Sequence, residues 1–281
     1  TVVIGVRKDL SDFISPFELF PDYQEEKTLR EVIGNLPALR EFGEISKSDI
    51  YHAFRVYPKY MRSWIADLKE GESAFDQSDL SKVPHKVVNG EIVVNIRKNG
   101  DKYRRQYWDK VGPCIHTRND QLASQNTIHP SDDRVFSIRE LMMMMTIPNS
   151  FRWTDIPEQE LNSLSVEKKK AFLKKEEIKI RQCLGEAVPT AVFESIADKI
   201  AFFFSRKHLS DAEVKKLIDT TDLSSLDRII NYISTNFDTI GISSISKVVE
   251  YANAKREHNA AFFTDKSILN EIMKYLPDID K

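Results

Sequence analysis

The chain has 281 residues, 41% of them hydrophobic and 30% charged, with a formal net charge of −2 and two cysteines. This composition belongs to ordinary globular chains with room for one large or two modest domains, and it excludes a disulfide framework or a cysteine-rich zinc site. No apolar run approaches the roughly 20 residues of a membrane span and no signal-peptide pattern occurs, so an intracellular chain is expected, with any nucleic-acid contact confined to local basic patches.

The chain begins T-V-V-I-G-V, an apolar run of the kind found in a strand buried on both faces. Thr1 in place of Met points to a chain that is processed or is a piece of something longer. Ser11 to Tyr23 reads as loop, and Thr28 caps a short amphipathic helix reaching Leu36, with Glu31 three residues on completing a capping box. Asp49 to Ala74 interleaves basic and aromatic side chains. Phe54, Tyr57, Met61, Trp64, Ile65 and Leu68 stand at helical spacing as core candidates, while the arginines between them could face phosphates or solvent.

Glu91 to Trp108 reads as a β-hairpin turning at Asn99-Gly100, because Asn-Gly supplies the two positive-φ positions of a type I′ turn. Its tip and return strand carry Arg97, Lys98, Lys102, Arg104 and Arg105. A β-ribbon fits a DNA major groove, so these residues are candidates for DNA contact; a solvated, charge-protected sheet edge is the alternative. Gly112 to Gln125 reads as a structured loop. Cys114 within it is taken as packing, and both Cys114 and Cys183 as buried free thiols.

Ser137 and Glu140 form a second capping box, flanked by Phe136 and Leu141 as a hydrophobic staple, and open a short apolar helix that ends before Pro148. Pro157 to Lys179 reads as a solvated, ion-paired helix. An amphipathic helix comes after Pro189, with Val192, Phe193, Ile196, Ile200 and Phe203 on one face. Ser210 to Val249 reads as three more amphipathic helices, the first opened by a Ser210/Glu213 capping box.

Two stretches resemble conserved blocks of the DNA (cytosine-5) methyltransferases. His129 to Trp153 is similar to the ninth block through Arg134, Ser137, Arg139, Glu140, Ile147-Pro148 and Phe151; Arg181 to Pro189 is similar to the tenth through Gln182, Gly185, Glu186, Ala187, Val188 and Pro189. Glu186 stands where that family has Asn, and one residue is added after Gln182. The first ten residues resemble the segment just after the family's eighth block, and His258 to Pro277 resembles the lead-in to an amino-methyltransferase domain.

The resemblance implies an α+β chain: a remnant of an α/β, Rossmann-like methyltransferase lobe, a mixed target-recognition domain and a C-terminal helical extension. The implied segments are 1–43, the end of the catalytic lobe; 44–128, target recognition; 129–204, the ninth and tenth blocks returning to the lobe; and 205–281, a helical extension or linker. Arg134, Ser137, Arg139 and Glu140 would organise the junction, Glu186, Ala187 and Val188 would line the side facing S-adenosyl-L-methionine, and Thr117 and Arg118 would hold DNA backbone beside a flipped base. The family's cysteine nucleophile and most of its methyl-donor pocket lie in earlier blocks, so the implied chain carries no catalytic residue and is inert alone. Its implied partners are double-stranded DNA and an N-terminal catalytic half, in a bacterial cytoplasmic restriction-modification system. A non-catalytic DNA-binding or scaffold subunit is the competing class.

Overall fold

Two compact units, 25–190 and 1–24 with 191–281, divide a computed structural model that describes residues 3–8, 14, 16–94 and 100–255. In the larger unit, Thr28 caps helix α1 (Leu29–Ile33) with both halves of the expected capping box formed. The Leu29 and Arg30 amides donate at 2.9 Å to the carbonyls of Lys110 and Trp108, so the first-turn donors that a helix leaves orphaned are satisfied by the 108–111 backbone. Helix α3 (Ile138–Met144) is capped by Ser137 with Glu140 reaching back, as its sequence predicts. Leu29, Ile33, Phe136, Ile138, Leu141 and Met142 bury together with Leu173, Ile180 and Leu184 in one core.

A second core in the same unit gathers Trp64, Ile65, Leu68, Phe75, Tyr103, Leu122, Ile128 and Val135. Phe54, Trp64, Ile65 and Leu68 are thus buried as the core reading expects, although only Tyr60–Ser63 (α2) is helical there. Ile128 pairs with Val135 in an antiparallel bridge. Val135 belongs to the second core and the adjacent Phe136 to the first, so the alternation of an extended backbone joins the two.

Two expectations are corrected. A hairpin turns at Asn89-Gly90: β1 (His85–Val88) pairs antiparallel with β2 (Glu91–Val94), His85 opposite Val94, and Asn89 and Gly90 sit at φ 52° and 86° as a type I′ turn requires, while Asn99 of the expected turn lies outside the described residues. Residues 102–105 instead make isolated bridges, Lys102 to Gln125, Arg104 to Ser73 and Arg105 to Ile128. The segment 157–179 is not one solvated helix. Glu158–Ser163 is α4, and after a Ser165 cap α5 runs from Val166 to Glu186, burying Lys169, Leu173, Ile180, Arg181 and Leu184. The charges that dominate its sequence lie on the remaining faces, and the sparse apolar positions suffice to seat it on the core.

In the smaller unit, residues 3–8 form no strand: Val3 is 88% exposed, and Ile4 and Val6 pack partly buried against Ile14, Leu19 and Phe203. Helix α6 (Thr190–Ser205) precedes α7 (Asp211–Thr220), α8 (Leu226–Asn236) and α9 (Ile242–Lys255), and the last three close on a core of Leu209, Val214, Ile229, Ile233, Ile245 and Val248. Ser210 and Glu213 form the predicted box at α7. Helices with one small two-stranded sheet make the described residues α+β. No helix among them is long and apolar enough to cross a membrane. The segment 258–277 lies outside the described residues.

Candidate functional site

The stretch before α3 is organised by charges turned inward. Arg134, with its side chain 1% exposed, donates to the two Glu140 carboxylate oxygens at 2.7 and 2.8 Å, to Asp132 at 3.0 Å and to the Val135 carbonyl at 3.2 Å. Glu140 also accepts the Ser137 amide at 2.6 Å, so one carboxylate serves both the helix cap and the ion pair. Burial by itself would raise the Glu140 carboxyl; the Arg134 guanidinium outweighs it and holds the group well below the ordinary carboxylate range. His129 packs beside them, and burial lowers its pKa from 6.5 to about 4 against the upward pull of Glu140. Its Nδ1 accepts the amides of Asp132 at 2.9 Å and Ser131 at 3.2 Å, which assigns the proton to Nε2, 3.5 Å from Glu140.

The same helix is tied sideways. Arg139 donates to Asp49 and to Glu158, each at 2.5 Å, and to Asn149 at 3.2 Å, joining α3 to the 49–51 turn and to α4. The Ser137 hydroxyl lies 3.0 Å from His52 Nδ1.

Arg181, at the start of the tenth-block stretch, crosses to the ninth. It lies on the buried face of α5 and donates to the Phe136 carbonyl at 2.9 Å, to Asn119 at 3.2 and 3.3 Å and to Glu177 at 2.9 Å. One turn later, a Cβ on Gly185 would stand 2.4 Å from the His116 and Thr117 backbone, so glycine is what lets the 116–117 loop lie against the helix. The Thr190 amide then donates to the Met145 carbonyl at 3.0 Å, tying the chain that follows α5 to the end of α3. Sequence patterning singles out neither Arg181 nor His52 as a link. The available signal is Arg181 standing between Ile180 and Leu184, on the apolar stripe of an otherwise charged helix.

The residues expected to meet DNA separate. Arg105 is 3% exposed and donates to the carbonyls of Ile65 at 2.8 Å and His129 at 3.1 Å and to Asp133 at 2.7 Å, so it braces the interior and is withdrawn as a DNA contact. Its neighbour Arg104 is 30% exposed and bonded to the carbonyls of Gly100 and Gly71. Lys102 is exposed, Thr117 half-buried, and Arg118 exposed beside Asp120 at 3.4 Å. Arg97 and Lys98 lie outside the described residues. Glu186, Ala187 and Val188 are all exposed at the end of α5. Cys114 and Cys183 are exposed free thiols rather than buried ones, because loop 112–125 and the outer face of α5 turn them to solvent.

No known protein-family profile matches the chain. It is 32% identical over 189 residues, 64% of this chain and 46% of the relative, to the type II methyltransferase M1.HgaI of Avibacterium volantium. It is 27% identical over 207 residues, 74% of this chain and 51% of the relative, to the type II methylase M.HgiDII of Herpetosiphon aurantiacus. In sequence, the chain is similar to type II methyltransferases and spans about half the length of the curated relatives it matches.

Proposed function

We propose that this chain is the DNA-recognition and lobe-closing part of a DNA (cytosine-5) methyltransferase of a restriction-modification system, acting in the bacterial cytoplasm with a catalytic half that supplies the nucleophile and most of the methyl-donor pocket. The observation that carries the reading is the joining of the two resembling stretches. Arg181 reaches the Phe136 carbonyl and Thr190 the Met145 carbonyl, so residues far apart in sequence close as one body. Similarity to two type II methyltransferases supports the methyl-transfer class. The proposed map keeps 1–43 and 129–204 as lobe, 44–128 as recognition domain and 205–281 as extension.

The donor, S-adenosyl-L-methionine, would supply the methyl group from its sulfonium. The end of α5 suits one edge of its pocket: Glu186 offers an exposed carboxylate to an ammonium or ribose hydroxyl, and Ala187, with extended backbone, and exposed Val188 follow beside it. Arg134, Ser137, Arg139 and Glu140 hold that edge in place rather than touching a ligand, since their polar groups are already satisfied inside the protein. Exposed Lys102 and Arg118, with half-buried Thr117, remain the candidates for phosphate contact.

The test joins this chain to its upstream half, adds labelled methyl donor and double-stranded DNA, and identifies the methylated base. Methyl on carbon 5 of cytosine supports the reading, and methyl on an amino nitrogen of cytosine or adenine refutes the cytosine-5 assignment. An inactive but DNA-binding pair favours the alternative, a non-catalytic DNA-binding or scaffold subunit.

A further inference from the structure

Helix α5 carries seven basic residues and four acidic ones between Val166 and Glu186, and they are not spread evenly around it. At about 100° per residue, Lys170, Lys174, Glu177 and Arg181 fall in one stripe along an edge of the buried face. Lys168, Lys175 and Lys179 lie on the opposite edge with Glu176, which meets Lys175 at 3.2 Å and Lys179 at 3.7 Å. One carboxylate there already answers two ammoniums.

On the first edge the carboxylates are committed inward. Glu177 accepts from Arg55 at 2.7 Å and from Arg181 at 2.9 Å, and Asp120 lies 3.6 Å from Arg55 and 3.4 Å from Arg118. Two carboxylates thus share three guanidiniums, and the outermost, Arg118, has its side chain 59% exposed. Lys170 and Lys174 are exposed on the same side, and no carboxylate of the described residues forms an ion pair with either. Glu167 attracts Lys170 only through space, and Glu44 is occupied by the amides of Arg40 and Glu41 at 2.7 and 3.0 Å. The Lys170 Nζ lies 4.0 Å from where a Cβ on Gly43 would stand, and the Gly43 amide bonds to the Phe54 carbonyl at 3.2 Å, so this ammonium sits beside Arg55 and its network.

We infer that Lys170 and Lys174 extend the DNA interface proposed at Arg118 onto α5, where they bind backbone phosphates of double-stranded DNA without reading its sequence. The inference rests on the DNA-methylating function proposed above and adds a surface outside segment 44–128. Lys170 and Lys174 stand one turn apart, about 6 Å along the axis, and the turn of Glu177 lies about 4.5 Å further. That length of about 10 Å matches about three phosphates of one strand. A protein partner would call for buried anchor side chains, and the stripe of Lys170, Lys174, Glu177 and Arg181 contains no apolar one. Contacts of lysine to phosphate release counterions, so they are read in the salt dependence of binding rather than in base preference.

The experiment uses the natural full-length protein and measures its affinity for two duplexes of unrelated sequence at salt concentrations from about 50 to about 200 mM. K170Q/K174Q is compared with the wild type and with K175Q/K179Q, the same change on the opposite edge, each checked for an unchanged melting temperature. Loss of two phosphate contacts is expected to make the plot of log affinity against log salt shallower by about 1.8, so the gap between wild type and K170Q/K174Q narrows about tenfold across that range on both duplexes. K175Q/K179Q and the charge-keeping K170R/K174R are expected to hold the wild-type slope. A wild-type slope in K170Q/K174Q, or an equal change in K175Q/K179Q, overturns the assignment and leaves the methyltransferase reading intact. A loss confined to one duplex makes the edge a reader of sequence and also overturns it, whereas a wild-type protein that binds neither duplex overturns both the assignment and the proposed function.

Discussion

Residues 127–140 and residues 85–105 are both rich in charge, and the fold treats them oppositely. In the first, Arg134, Glu140, Asp132 and His129 close on one another inside the protein. In the second, valines and an isoleucine stand in solvent while Arg105 turns inward. The difference teaches that side-chain polarity in a segment reports its destination only when long-range partners are known. A guanidinium can be buried at little net cost when carbonyls and carboxylates already wait for it, and an apolar ribbon can remain exposed where no described element covers it.

The sharpest way to break the contrast is to remove one member of the buried pair. Arg134→Ala or Glu140→Ala leaves an uncompensated buried charge and is expected to cost about 3–5 kcal/mol in urea unfolding, whereas Arg134→Met with Glu140→Leu is expected to recover much of that loss. If the single changes are neutral, the inward charges are not what holds this segment.

Acid is the next probe. The His129 pKa is near 4 in the folded chain against 6.5 when unfolded, so below pH 6.5 the unfolded state takes up the proton first. Stability is therefore full above pH 6.5 and falls as pH drops toward 4, by about 3 kcal/mol from this group. Glu140, held below the ordinary range, adds to the loss at still lower pH as it protonates. Urea midpoints measured across this range should lose their slope between pH 6.5 and 4 in a His129→Gln variant if its core is otherwise intact.

Gly185→Ala tests the seam between the 116–117 loop and α5. A methyl group placed 2.4 Å from backbone must displace the loop, with an expected loss of about 1–3 kcal/mol visible in the melting temperature. The smallest effect is expected at Arg104, the outward neighbour of Arg105. Its replacement by Ala should change stability by less than about 1 kcal/mol. If the adjacent surface meets DNA, the same variant lowers the salt dependence of binding.

The amino-acid sequence determined what depends on neighbours a few residues apart. The three capping boxes at Thr28, Ser137 and Ser210 formed as read, because a hydroxyl and a carboxylate three residues on satisfy the first amides of a helix wherever it packs. The stripes of α7, α8 and α9 likewise announced their common core. Tertiary structure alone decided that Glu91–Val94 pairs back to His85–Val88 through Asn89-Gly90 while Lys102, Arg104 and Arg105 bridge to other segments, because the choice of partner strand is not written in turn chemistry. It decided that Arg105 faces in and Arg104 out, and that Arg181 joins two stretches of chain. Each depends on carbonyls and carboxylates brought from 24 to 62 residues away, and no local spacing records them.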